Sequence, residues 1–457
     1  MIFATMNIPK KIASFLIFLL VIQATGSSQD HILYFLENSP QSNFLNPARL
    51  TDRSKVFINL PLLAGQSFSF TNSFSFHDLG VIENNHLKID VGNFYNQIPE
   101  KNYLSENMVL PLLVFQLRTK RRIFSFNISE NQILRTRFDA SLVKLIDKGN
   151  YEFINQPFST NFDFNFLHYR KYALGYSQII NGKWSIGGNL KILTGFSAVD
   201  VIRSNIGIET GSNFEQITIT TDGEYNFCLP FRVGQNENRA PSRFNSLHYF
   251  TNASNLGLAF DAGVRYQLLP KLELSASLID LGYIHWKNPV ENVSHHGSFT
   301  WKGINLANYL NTDPTEEDYN HSTSAKGILD SIRNLISLTS NSNPFNTPIP
   351  TKVFLGASYT ICPVLKAGLL DQLLFYDSQI SNALTLSGNL QLGQIFSLSA
   401  GYTLTNKSFK NLALGTLLKL GPLEVYFATD NLLALNLADS KSLNFQCGIN
   451  LLFGKND

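Results

Sequence analysis

Cysteine is scarce in this chain of 457 residues: Cys228, Cys362 and Cys447 are the only three, an odd number set far apart. That excludes a disulfide-stapled scaffold, and the lack of any Cys-x-x-Cys or Cys/His spacing leaves no zinc signature. Charge is scarce too, 15% of residues against about 25% in soluble domains. The formal charge of +2 gives no basic footprint for nucleic acid. Beyond the N-terminal leader no apolar run reaches the roughly 18 residues of a membrane-spanning helix. Catalytic signatures are missing as well. Gly195-Phe196-Ser197 begins a nucleophile elbow but lacks its closing glycine. No P-loop, His-Glu-x-x-His or calcium-loop pattern occurs. No catalytic residue, metal site or cofactor is assigned, and the reading is of a chain that is not an enzyme.

What is present is apolar and aromatic: 44% hydrophobic residues and 36 Phe. Such a chain, poor in charge, needs two apolar surfaces, one packed inside and one facing lipid. The N-terminus reads as an export signal over residues 1–27. Lys10 and Lys11 form the cationic region, Ile12 to Ile22 the apolar run, and Ala24, Gly26, Ser27 and Ser28 the small residues for cleavage. The apolar run is too short for a helical anchor. Losing the two lysines leaves 34 cationic against 34 anionic residues.

The dominant pattern is period-two alternation. Leu256, Leu258, Phe260, Ala262, Val264, Tyr266 and Leu268 alternate with Asn255, Gly257, Asp261, Gly263, Arg265 and Gln267. Phe396, Leu398, Ala400, Tyr402 and Leu404 alternate with serine, glycine and threonine, and Leu443 to Phe453 repeats the design. Successive strand side chains point to opposite faces, so each stretch has one apolar and one polar face. A soluble β-sandwich also alternates, but its strands run about 5–6 residues. These stretches keep phase for about 9–11 or more, the length that crosses a bilayer. Their polar rows of Gly, Ser, Thr and Asn suit a crowded, hydrated lumen.

The expected fold is therefore all-β, a transmembrane antiparallel barrel of about 14 strands, with 12–16 as the bounds. Strands are expected near 66–76, 108–118, 121–137, 162–180, 183–195, 254–268, 271–286, 351–361, 366–377, 381–392, 396–405, 410–420, 423–432 and 442–453. Tight joins such as Asn181-Gly182, Cys362-Pro363 and Gly421-Pro422 follow every second strand. Long joins fall on the other side, which puts both chain ends in the periplasm. The long outer loops span 196–253 and 287–350. The stretch 199–228 also alternates and is read as a hairpin beyond the membrane; counted as wall it would give sixteen strands. Short helices are expected at Asp139 to Lys148 and Ala325 to Leu338.

Residues 28–64 precede the first expected strand, leaving 65–457 as the barrel. This segment carries His31-Ile32-Leu33-Tyr34-Phe35-Leu36 and then Asn46-Pro47-Ala48. Val56 to Leu63 is strand-like, yet strand parity leaves it outside the wall. A segment starting in the periplasm can enter the lumen as a plug. An early Asn-Pro-Ala followed by a barrel of this size resembles the long-chain fatty-acid channel superfamily of outer membranes. The phrase from His31 to Ala48, with Pro61 after Asn59-Leu60, resembles more specifically an uncharacterised outer-membrane barrel family common in Bacteroidota. Relatives of that family include accessory barrels of the type nine secretion system. The resemblance implies a plugged barrel that moves a small hydrophobic ligand laterally, or one that serves as a partner's platform in secretion or surface-protein assembly. It gives Asn46, Pro47 and Ala48 the role of a lumenal plug motif.

Lys191, Asp261, Arg265, Glu273, Lys352, Lys419 and Glu424 occupy inward positions. Their mixed signs suggest ion pairs that hold a plug or line a path. His295-His296 is read as a solvated pair, and His168 with Arg170 and Lys171 as a lumen or rim cluster. The expectation is thus an outer-membrane barrel in contact with lipid, a plugged channel for small hydrophobic molecules or a non-conducting accessory barrel.

Overall fold

The computed structural model describes residues 30–455 apart from 51–53, 84–85, 150–152, 156–157, 212–215, 231–245, 252, 302–336, 378, 406–407 and 436–439. The expected export signal and the expected helix from Ala325 lie outside the described residues, except that Ser337 and Leu338 fall in a strand.

The described residues open with a short helix α1 (His31–Phe35) and a 3-10 turn (Pro40–Phe44), then enter β1 (Ser54–Asn72). The loop that follows holds α2 (Phe76–Leu79), a small hairpin of β2 (Gly80–Glu83) and β3 (His86–Ile89), and α3 (Val91–Gln97). Then come β4 (Lys101–Arg118), β5 (Arg122–Asp139), α4 (Ala140–Lys148), β6 (Phe158–Ile179), β7 (Trp184–Thr210), β8 (Ile217–Cys228) and α5 (Ser246–Thr251). The rest is β9 (Asn255–Leu269), β10 (Leu272–Trp286), β11 (Glu291–Trp301), β12 (Ser337–Asn341), β13 (Phe345–Pro348), β14 (Thr351–Cys362), β15 (Leu365–Tyr376), β16 (Gln379–Leu392), β17 (Phe396–Thr405), β18 (Ser408–Leu420), β19 (Leu423–Thr429) and β20 (Ser442–Lys455).

Fourteen of these strands close a ring in the order β1, β4, β5, β6, β7, β9, β10, β14, β15, β16, β17, β18, β19, β20 and back to β1, antiparallel at every step. Closure leaves the ring without an edge strand, so its backbone donors and acceptors pair around the circumference. The alternation sets which face looks out. Leu256, Leu258 and Phe260 of β9 are 51%, 58% and 46% exposed, whereas Asp261 is buried. Leu174, Leu190, Leu386 and Tyr402 extend the same apolar belt around the outside. Among the described residues no helix is long and apolar enough to cross a membrane.

The expected hairpin at 199–228 is β7 running past the ring and pairing with β8, which pairs in turn with β11, and β11 with β12. These additions stand on the long-loop side and leave the ring count unchanged.

The structure corrects one expectation about the wall. Val56 to Leu63 lies inside it: Ser54 opposes Lys455, Val56 opposes Phe453 and Ile58 opposes Phe115. Left outside, it would have deprived Phe453 and Lys455 of their ladder partners, Val56 and Ser54. The wall therefore begins at Ser54, not Gly65. The ladder breaks within β1, where Asn59 to Ala64 advances five residues against two on β20, and Ile58 to Ser67 nine against six on β4. Between Ile58 and Ser67 the strand thus carries three residues more than β4 and four more than β20, and the Asn59 side chain bridges the break by accepting from the Val114 amide at 2.6 Å.

Candidate functional site

The site is the lumen, and its first component is residues 30–50. Ile32, Leu33, Tyr34, Phe35, Leu36 and Leu45 are all buried, packed on Ile279, Phe354, Leu370, Leu417, Tyr426 and Ala428 of the wall. Each large apolar side chain so buried contributes about 1.5–3 kcal/mol. The wall is hollowed to receive them. A Cβ on Gly368 would collide with Phe35, one on Gly356 would crowd Tyr34, and ones on Gly401 and Gly415 would crowd Ile32 and Leu36. Polar ties complete the seating. Asp430 accepts from the His31 and Ile32 amides at 3.1 and 2.8 Å, Tyr34 meets Ser275 at 2.9 Å, and Gln41 donates to Asn450 at 2.8 Å. Burial pushes the His31 imidazole down to about 3, so it is neutral.

Asn46, Pro47 and Ala48 lie against a matched pair of glycines. Gly187 of β7 and Gly263 of β9 oppose one another. A side chain on either would strike Pro47 or Asn46. Asn46 Oδ1 caps the Ala48 amide at 2.9 Å, its Nδ2 reaches Tyr34 Oη at 3.2 Å, and Ser177 donates to the Pro47 carbonyl at 2.5 Å.

The second component is charge. Lys191, deeply buried, meets Asp261 at 2.5 Å and Asp280 at 2.6 Å, while Lys171 holds both oxygens of Asp280 at 3.1 Å. Asn189 and the Asp280 amide also donate to Asp261. Lys352 grips Asp30 of the plug segment at 2.6 Å, and Lys366 pairs with Glu37. Arg265 and Glu273 pair with each other across the β9–β10 hairpin, the guanidinium Nε at 2.9 Å. Glu424 accepts from Asn450 at 2.9 Å, and Lys419 donates to Ser54 at 3.2 Å. The expected inward charges therefore separate into three settings. Lys191 and Asp261 form a central cluster, Lys352 tethers the N-terminal segment, and the other four make local pairs.

Sequence reasoning missed Asp280, Lys171 as its partner, Asp30 and Glu37. Asp280 carries a signal in retrospect. The apolar phase of β10 jumps from Leu278 to Leu281, the mark of a bulge, and the register slips at that point. Asp280 sits there at φ 58°, which turns its carboxylate inward.

The third component is space. A cavity of about 120 Å³ lies between the N-terminal segment and the surrounding wall. Leu33, Phe44, Leu45, Val109, Pro111 and Val114 supply its apolar lining, and Lys171, Lys191 and Lys352 with their carboxylates its charged lining. It shares Val109, Lys171, Asp280 and Lys352 with a neck of about 70 Å³. The neck shares Ser105 and Arg135 with an outer vestibule of about 400 Å³. Gly65 and Ser67, beside the break in β1, line the innermost cavity.

The histidines take no part in this path. His295 and His296 are neighbours on one strand and point to opposite faces; His295 stacks on Tyr225, and His296 is 81% exposed. His168 lies on the outer side of the wall, where Tyr249 of α5 bridges it to Ser197 at 2.8 Å each way and Arg170 pairs with Glu130. Ser197 is buried and opposes His168 in the β6–β7 ladder, and Tyr249 joins their side chains, so the cluster fastens α5 to the wall.

No curated protein matches this sequence. Among solved structures the chain is similar to the toluene transporter TbuX of Ralstonia pickettii, with a TM-score of 0.42 and 9% identity over 91% of this chain and 94% of that one. It is similar to a FadL homologue of Pseudomonas aeruginosa, with a TM-score of 0.39 and 10% identity over 94% and 100%. The toluene transporter TodX of P. putida gives 0.38 and 9% over 90% and 92%. Residues 47–430 match a family of unknown function, DUF5723, and the chain belongs to that family.

Proposed function

We propose that this protein is an outer-membrane channel for small, largely apolar molecules, which pass beside a fixed plug and leave sideways through the break in β1. The observation that carries this reading is the succession of vestibule, neck and inner cavity along a lumen in which the N-terminal segment is packed on the wall by a buried apolar cluster. Ligand sites of this kind pair apolar walls with a few placed polar groups, as Val109, Pro111 and Val114 face the lysines here. The leader read over residues 1–27 and the apolar belt support the location. A barrel reconstituted in vesicles should carry a hydrophobic fluorescent dye across severalfold faster than vesicles alone, and Val109→Trp, which fills the inner cavity, should abolish the gain. Equal transfer by wild type and V109W sinks the reading.

The sheet of β8, β11 and β12 supports a second reading, a platform for a secretion or surface-protein partner, because it extends the wall with strands that no closure requires. Crosslinking from Thr220 and Thr300 should then capture one stoichiometric partner in native membranes; recovery of the barrel alone counts against it.

A further inference from the structure

We infer that the neck between vestibule and inner cavity is an anion-binding waypoint whose recognising group is Arg135. The neck is lined by three cations, Arg135, Lys171 and Lys352, against one carboxylate, Asp280. Charge is balanced on either side of it. The vestibule sets Lys101, Arg135 and Arg137 against Asp139, Asp163 and Asp377, and the inner cavity sets three lysines against Asp30, Asp261 and Asp280. Over the three spaces together six cations meet six carboxylates, so the excess is local to the lining of the smallest space, which Asp30, Asp163 and Asp377 do not reach.

Within that section Lys171 is held by Asp280 and Lys352 by Asp30. Arg135 has no carboxylate partner among the described residues. One of its N–H groups reaches the Tyr376 carbonyl at 3.5 Å, and its plane lies 4.6 Å from the centroid of the Tyr376 ring. The acids nearest in the wall, Asp163 and Asp377, are both taken by Arg137. The Tyr376 ring holds the guanidinium from one side, and Arg135 lines both the neck and the vestibule, where a planar fork of donors can meet an anion. Asp163 and Asp377 act on Arg135 only from beyond contact distance; a partly desolvated cation with no carboxylate in contact is costly, and an oxyanion held by the fork would offset that cost with charge-assisted hydrogen bonds. The chemistry is that of a compact oxyanion, either free or as the head of an amphiphile.

The inference rests on the path proposed above, but binding can be measured without transport. Full-length barrel in a non-ionic detergent would be titrated calorimetrically with sodium sulfate, octyl sulfate and octanol. Octyl sulfate should bind wild type at least about tenfold more tightly than Arg135→Gln, the worth of one charge-assisted contact, and Arg135→Lys should recover part of the loss. Sulfate showing the same dependence on Arg135 assigns a free anion; octyl sulfate alone assigns an amphiphile's head. Equal affinity of octyl sulfate and octanol for wild type overturns the waypoint, and needs no variant that folds. So does equal affinity for wild type and R135Q when both show the same heat-dependent gel mobility. A barrel that binds the anion yet carries no dye removes the channel reading and leaves the waypoint standing.

Discussion

At the residue scale the lumen is a fit between large side chains on one segment and missing side chains on the wall. Gly368 and Gly388 lie on neighbouring strands, and only the first has a plug side chain above it. Gly368→Ala should therefore lower stability by about 1–3 kcal/mol through overpacking, while Gly388→Ala, with nothing within 4 Å of its new Cβ, should be close to neutral. Urea titration of the heat-modifiable form would separate them; equal losses would mean that the plug segment is not seated where Phe35 indicates. His31 gives a pH test. Its pKa of about 3 in the docked segment lies below the ordinary 6.5 of an exposed imidazole, so the undocked segment takes up a proton more readily than the docked one. The docking free energy is fully present above about 6.5 and is lost as pH falls toward 3. His31→Phe should remove that loss, seen as a melting temperature that no longer drops between pH 7 and pH 4. The tripeptide Asn46-Pro47-Ala48 stands out in the sequence. Its sockets, Gly187 and Gly263, do not, because a glycine in a polar row looks the same whether it faces water or a proline.

At the element scale the strands were legible because a β-strand is the element that holds a two-residue period for ten residues. All fourteen ring strands overlap the expected spans. Two kinds of event escaped. Pairing resumes on both sides of the break in β1, but parity counting from turns excluded the strand's first half. The bulge in β10 brought Asp280 inward, where alternation alone gives it no defined face. Its role is open to test by Asp280→Asn, which leaves Lys171 without its carboxylate and Lys191 with Asp261 alone. Breaking a buried pair from one side costs roughly 3–5 kcal/mol, and Lys171→Met in the same chain should return part of it. Chemical denaturation of the three proteins would show this; additive losses would mean that the two lysines do not depend on Asp280.

At the scale of the whole molecule the membrane reading fixes where lipid must begin and end. On β7 the exposed apolar row runs from Trp184 to Ile192, a length close to the roughly 9–11 residues that cross a bilayer. Just beyond, the outward positions turn polar, with Glu130 and Arg170 paired under α5. Further along β7, Ile202 is 54% exposed on the part that pairs with β8, past the level where lipid should end. Arginine at two sites then distinguishes lipid from water. Leu386, 63% exposed near the middle of β16, should lie at mid-bilayer. Leu386→Arg should cost about 2–4 kcal/mol in folding free energy from vesicles, and Ile202→Arg about 0–1. In a soluble barrel both surfaces would face water and both changes would be nearly free, so equal small effects would remove the membrane and, with it, a channel through it.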